Sequence, residues 1–320
     1  MKLQRWFASC LALGAMVGMA ATAQAVIIPT SFGVGADAEV RESSPTTNRG
    51  SSTELASRIL DNVIAGDPAD GNDRNSLMYL KFDISGQPLL GGKTTSLRLT
   101  YRNTNLTPNR ISDTATPNPD FRTGLSFFGL HPDDAGNNWS EGLITYVNAP
   151  GLLPDFNVGT KDITTVDPDG AGPLVAPMTP LGVKLFSPIG TQNHLPVGGE
   201  LVFKSAALDA LVASALAKGK TTVTIVAGVV HDGKIPINDW KNFNYLFNPK
   251  EQTTLTTDGS YDADTTDPNN PLGSPWSGAS NATDANGFSP FSPQLHIVPE
   301  PGSLALLGLG MVGLAARRRR

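Results

Sequence analysis

Two acidic runs carry the residues best suited to chemistry: Asp67-x-x-Asp70-x-x-Asp73 and Asp258-x-x-x-Asp262-x-Asp264-x-x-Asp267. Carboxylates spaced along flexible polar segments suit Ca²⁺, a hard cation that gathers oxygen ligands in adaptable geometry. In the second run Asp262, Asp264 and Asp267 are the candidate ligands. Neither run places the glycine and distal glutamate of an EF-hand loop. The same residues also read as solvated turns, because Asp and Asn are common turn formers. A structural calcium is the one cofactor that the sequence suggests.

Two tryptophans offer a different chemistry. Trp240 in "INDWKNFNYLF" is flanked by Asn238, Asp239 and Lys241, and Trp276 lies in "GSPWSGAS". Aromatic faces stack on sugar C–H surfaces, and polar neighbours bind hydroxyls, so these five residues are the candidate carbohydrate contacts. Burial competes with that reading, since "FNYLF" beside Trp240 reads as core. No nucleophile elbow, zinc-protease helix, Walker loop or dinucleotide fingerprint occurs. His131, His194, His231 and His296 are scattered without metal-ligand spacing. No residue is assigned a catalytic role, and the expectation is a non-enzyme. Two carboxylates across a cleft would make a polysaccharide-processing enzyme, which is the alternative.

Charge narrows the partners. Residues 26–298 carry 18 basic and 28 acidic side chains, a net of −10, which is the wrong sign for holding nucleic acid. Cys10 is the only cysteine, so that region has no disulfide and no thiolate ligand. With 33 Gly and 25 Pro, turns are favoured over long helices.

The elements that would position any site are mostly strands. Ser76–Asp83 ("SLMYLKFD"), Thr95–Arg102 ("TSLRLTYR") and Thr222–Val230 ("TVTIVAGVV") alternate with period two and read as half-buried strands. Shorter candidates span Ala38–Arg41, Thr53–Ile59, Leu125–Leu130, Leu143–Val147, Glu200–Phe203 and Gln294–Val298. One segment has helical period: Leu208, Leu211, Val212, Ala215 and Leu216 follow a Ser205 N-cap and precede Gly219. Residues 113–122, 152–193 and 258–286 read as long loops. The fold class expected is all-β, an antiparallel β-sandwich of jelly-roll type with one short amphipathic helix.

Several blocks occur in order: "ADAEVRESSPTTNRGSSTELASRI", "SLMYLKFDIS", "TTSLRLTYRN", "NNWSEGLITYVNAPG", "NYLFNPKE" and "SPQLHIV". Together they resemble the DNRLRE-type domain, related to family 96 carbohydrate-binding modules, a β-sandwich of bacterial and archaeal surface proteins. The resemblance implies a sugar-binding or structural surface role. Tyr146 stands where the family commonly has tryptophan. Asp37 and Glu251 lie in matching blocks and are further ligand candidates. Trp139 reads as a sandwich-core residue or, alternatively, as a sugar platform.

The two ends carry addresses. Lys2 and Arg5, an apolar stretch to Ala20 and Ala23-Gln24-Ala25 form a signal peptide over 1–25, cut by signal peptidase after Ala25. Cys10 precedes most of the apolar stretch and so cannot be a lipobox cysteine. At the other end, Val298-Pro299-Glu300-Pro301, the apolar run Ser303–Ala316 and Arg317 to Arg320 follow one another. The run has no wet face and is short for a bilayer span, and the arginines would stay cytoplasmic. This tail resembles the PEP-CTERM sorting signal of Gram-negative bacteria that carry exosortases and make exopolysaccharide. The resemblance implies a transmembrane segment over 299–320, transient inner-membrane anchoring, and a cut near Pro299, Glu300 and Pro301. It implies delivery of the 26–298 domain to the cell surface or biofilm matrix, with extracellular polysaccharide as partner. A surface protein that contacts only proteins is the other alternative.

Overall fold

Alternating apolar residues form strands here wherever a second layer covers one of their faces. The computed structural model describes residues 26–59, 76–87, 93–103, 123–152, 178–185, 200–231, 243–252, 287–289 and 291–299. Both acidic runs lie outside these residues, as do Asn238, Asp239, Trp240, Lys241, Trp276, Ala25, Glu300 and Pro301. The strands are β1 (Val26–Pro29), β2 (Ala36–Arg41), β3 (Leu55–Ile59), β4 (Ser76–Asp83), β5 (Lys93–Asn103), β6 (Thr123–Leu130), β7 (Met178–Leu185), β8 (Glu200–Phe203), β9 (Thr222–His231), β10 (Phe243–Phe247) and β11 (Gln294–Pro299). One helix, α1 (Ala206–Ala217), lies between β8 and β9.

Each observed pairing is antiparallel, in the order β1-β11-β5-β10-β3-β4-β9-β6-β7, with β2 added to β4 and β8 to β5. A register shift at Leu246 and Phe247 marks where β10 meets β5. Strands from either side of that join feed one apolar cluster. Leu97, Leu99, Leu295 and Ile297 enter it from one side, and Met78, Leu80, Phe82 and Ile225 from the other. Phe127 on β6 stacks on Phe203 of β8 with ring centroids 4.1 Å apart. The body is therefore mostly antiparallel sheet with one short helix.

Helix α1 closes this core with Leu208, Leu211, Val212, Ala215 and Leu216, the five positions its period marks. Ser205 Oγ accepts the Leu208 N–H at 3.0 Å. At the other end the Gly219 and Lys220 amides donate to Leu216 and Ala215, a Schellman closure that puts Gly219 at φ +64°.

Three expectations change. β4 is buried on both faces rather than one: Met78, Leu80 and Phe82 enter the main core, while Leu77 and Tyr79 enter a second cluster with Trp139, Ile144 and Tyr146. The segment 131–152 supplies that second cover. Leu143–Val147 is not a strand. Its backbone turns because the Leu143 and Ile144 amides both bond Ser140 O, and Asn148 Oδ1 accepts the Thr145 amide at 2.7 Å. Within the stretch expected to be loop, β7 pairs along β6. It ends the strand order and carries Pro180 and a Gly182 at φ +132°, edge features that break the alternating pattern.

Half-buried His296 stands between buried Leu295 and Ile297, with Nε2 2.8 Å from Gln294 Oε1. Burial first, then the charge of Arg98 on β5, pushes its pKa down to about 4. Unfolded, it would titrate near pH ~6.5. Between those values the unfolded chain binds the proton and the native chain does not, so stability falls as pH falls. His296→Gln is expected to flatten that part of a Tm-against-pH curve. An unchanged slope would contradict the shift.

Candidate metal centre

Strand β2 brings the first ligand. Register with β4 sets Asp37 opposite Leu80, so its carboxylate is carried inward at 1% exposure. Oδ2 accepts the Thr30 hydroxyl at 2.5 Å and the Lys250 backbone N–H at 3.2 Å. Oδ1 has no hydrogen-bond partner.

The second ligand depends on how segment 131–152 is fastened to the sheet. Trp139 is buried against Tyr79, edge to face at 6.2 Å, and its Nε1 donates to Thr224 Oγ1 at 3.1 Å. Lys81 Nζ donates to the Trp139 carbonyl at 2.5 Å. Tyr79 Oη donates to Pro150 O at 3.0 Å. Asn48 Nδ2 donates to the carbonyls of Glu141 and Ile144 at 2.6 and 2.8 Å, fixing the turn that bears Glu141. That approach needs Gly50, where a Cβ would lie 2.2 Å from the Glu141 carbonyl oxygen. Trp139 is thus a core residue whose packing positions Glu141, and it offers no face to a sugar.

The third ligand follows β10. The Asn248 amide bonds Thr100 O at 3.0 Å, and the Gln252 amide closes a turn on Pro249 O at 3.2 Å. This turn presents Lys250 and Glu251. Lys250 Nζ contacts Glu141 Oε2 and lies 3.9 Å from Glu251 Oε1.

One oxygen from each of Asp37, Glu141 and Glu251 falls within 4.8 Å of the others. Glu141 Oε1 and Glu251 Oε2, like Asp37 Oδ1, are buried without a partner. Burial, then the negative charges of Asp37 and Glu141, pushes the Glu251 carboxyl up to about 9. Asp37 rises to about 7, chiefly through burial, with Glu141 adding to it and Thr30 opposing. The cluster therefore holds more carboxylate than Lys250 balances, and its chemistry suits a hard cation.

Of the ligand candidates that the sequence suggests, the structure joins Asp37 and Glu251. Asp262, Asp264 and Asp267 lie outside the described residues. Sequence reasoning does not name Glu141 or Lys250 as part of a ligand set. Their signal is position: Lys250 stands beside Glu251, and Glu141 two residues from Trp139.

Strand β11 ends the described chain, with Val298 opposite Thr94 and Pro299 opposite Lys93. Beyond it come Glu300, Pro301, the apolar run and four arginines. Residues 298–320 match the PEP-CTERM protein-sorting motif. A PEP-CTERM tail marks an exported protein, transiently anchored in a membrane and processed by an exosortase. Among curated proteins, none matches the chain. No helix of the described residues is long and apolar enough to cross a membrane.

Proposed function

We propose that this protein is a non-enzymatic component of the cell surface or exopolysaccharide matrix, delivered there by signal peptidase at Ala25 and an exosortase at Pro299-Glu300-Pro301. The PEP-CTERM match carries the reading. The fold supports it, because β1 and β11 pair with Val26 opposite Ile297. The residue after the expected N-terminal cut thus lies beside the strand that leads into the tail. A body with neighbouring exits can fold while both membrane-directed segments are still inserted.

The DNRLRE-like blocks support a carbohydrate-binding or structural β-sandwich over 26–298. Asp37 is shielded from solvent, and its carboxylate oxygen lies within 4.8 Å of the other two. Glycoside hydrolases hold their pair roughly 5–9.5 Å apart around a bound sugar. A cluster whose central Asp37 is shut off from solvent favours holding an ion over cleaving a glycan.

Two measurements test the proposal. Glu300→Ala is expected to leave insertion intact and slow the cut, so a membrane-bound uncleaved form accumulates. The released protein is expected to co-sediment with matrix polysaccharide. Release of reducing ends would instead mark a polysaccharide-processing enzyme. Failure to co-sediment would leave a surface protein that contacts only proteins.

A further inference from the structure

We infer that Asp37, Glu141 and Glu251 form a binding site for a divalent cation of the calcium type. Calcium–oxygen bonds are roughly 2.3–2.6 Å long, so ligands on opposite sides of the ion stand about 5 Å apart. The three oxygens, all within 4.8 Å of one another, fit inside one such shell. A second observation points to a cation-binding role. Asp37 is 1% exposed, yet Oδ1 has no partner, and one oxygen on each glutamate is also unpartnered. A carboxylate oxygen buried without a partner is costly, and a cation removes that cost. Asn248, also 1% exposed with neither side-chain polar atom paired, precedes the same turn. The cluster contains no imidazole or thiolate, which argues against zinc.

The ligands come from positions 37, 141 and 251, so one ion would cross-link β2, segment 131–152 and the turn after β10. Lys250 is the built-in competitor. Its ammonium rests on Glu141, and an entering cation must displace it from that oxygen.

The full chain in mild detergent, melted in millimolar CaCl₂ and again in excess chelator, tests the site. Tm is expected to be higher in calcium by about 5 °C, the shift mass action gives for saturation of a weak site. Asp37→Asn is expected to abolish the difference. Should that variant fail to fold, Glu251→Gln, at a residue about a fifth exposed, is expected to shrink the difference by more than half. Lys250→Met is expected to lower the calcium concentration of half-effect about tenfold, since it removes a like charge. A network held by ion pairs alone would not respond in that direction. Identical melting in calcium and chelator would overturn the inference. So would a calcium shift left undiminished by Asp37→Asn or Glu251→Gln, because the ion would then sit elsewhere.

Discussion

Trp139→Ala is expected to cost about 3–5 kcal/mol of folding stability, the range for truncating a large buried aromatic. The ring is 8% exposed and lies edge to face with Tyr79 at 6.2 Å. Removing it opens a cavity between β4 and segment 131–152 and strips Thr224 Oγ1 of the indole N–H. It also leaves Lys81 Nζ, which lies 4.9 Å from the ring centroid, without its aromatic cover. The effect should reach the carboxylate cluster, because Glu141 is two residues away on the same fastened turn. Denaturant titration is expected to show a lower midpoint with an unchanged slope. Trp139→Phe, which keeps an aromatic ring but loses the N–H and part of the indole's volume, is expected to cost about 1–2 kcal/mol. A loss below about 1 kcal/mol for the alanine variant would mean that the segment does not depend on this anchor.

Glu39→Ala is expected to be of similar size, about 3–5 kcal/mol, for an electrostatic reason. Glu39 is 1% exposed, and Arg41 grips it with Nε at 2.8 Å and Nη2 at 3.1 Å. Arg58 Nε approaches to 3.4 Å. Burial holds the Arg58 guanidinium below its usual pKa, and Glu39 is the charge that chiefly offsets this. Without that carboxylate, two guanidinium groups at 15% and 12% side-chain exposure are left facing each other. The exposed pair Arg98–Glu200, at 2.7 Å and about a third exposed on each side, provides the contrast. Glu200→Ala is expected to cost less than about 1 kcal/mol. Equal losses at Glu39 and Glu200 would contradict the role assigned to burial.

Local period made much of this fold legible. Ser76–Asp83 and Glu200–Phe203 coincide with β4 and β8, and the helix buries the five residues its spacing names, because both patterns depend on neighbours within a few residues. What period cannot encode is the number of faces that will be covered. β4 alternates, yet segment 131–152 covers its second face through Trp139 and Tyr146. Nor does period reveal an edge strand such as β7, whose proline and positive-φ glycine look like loop. The carboxylate cluster was half legible. Asp37 and Glu251 stood out in the sequence, whereas Glu141 joins them through Asn48, Gly50, Trp139 and Lys250, contacts made across 85 or more residues of chain. No local pattern reports contacts of that range.

That this chain is an exported, exosortase-sorted protein is tested most directly by mass spectrometry of the termini of the protein recovered outside the cell. The expected species begins at Val26 and ends near Pro299-Glu300-Pro301, where β11 gives way to the tail. Extracellular protein that still carries residues 302–320 would contradict the account and make the tail a plain anchor.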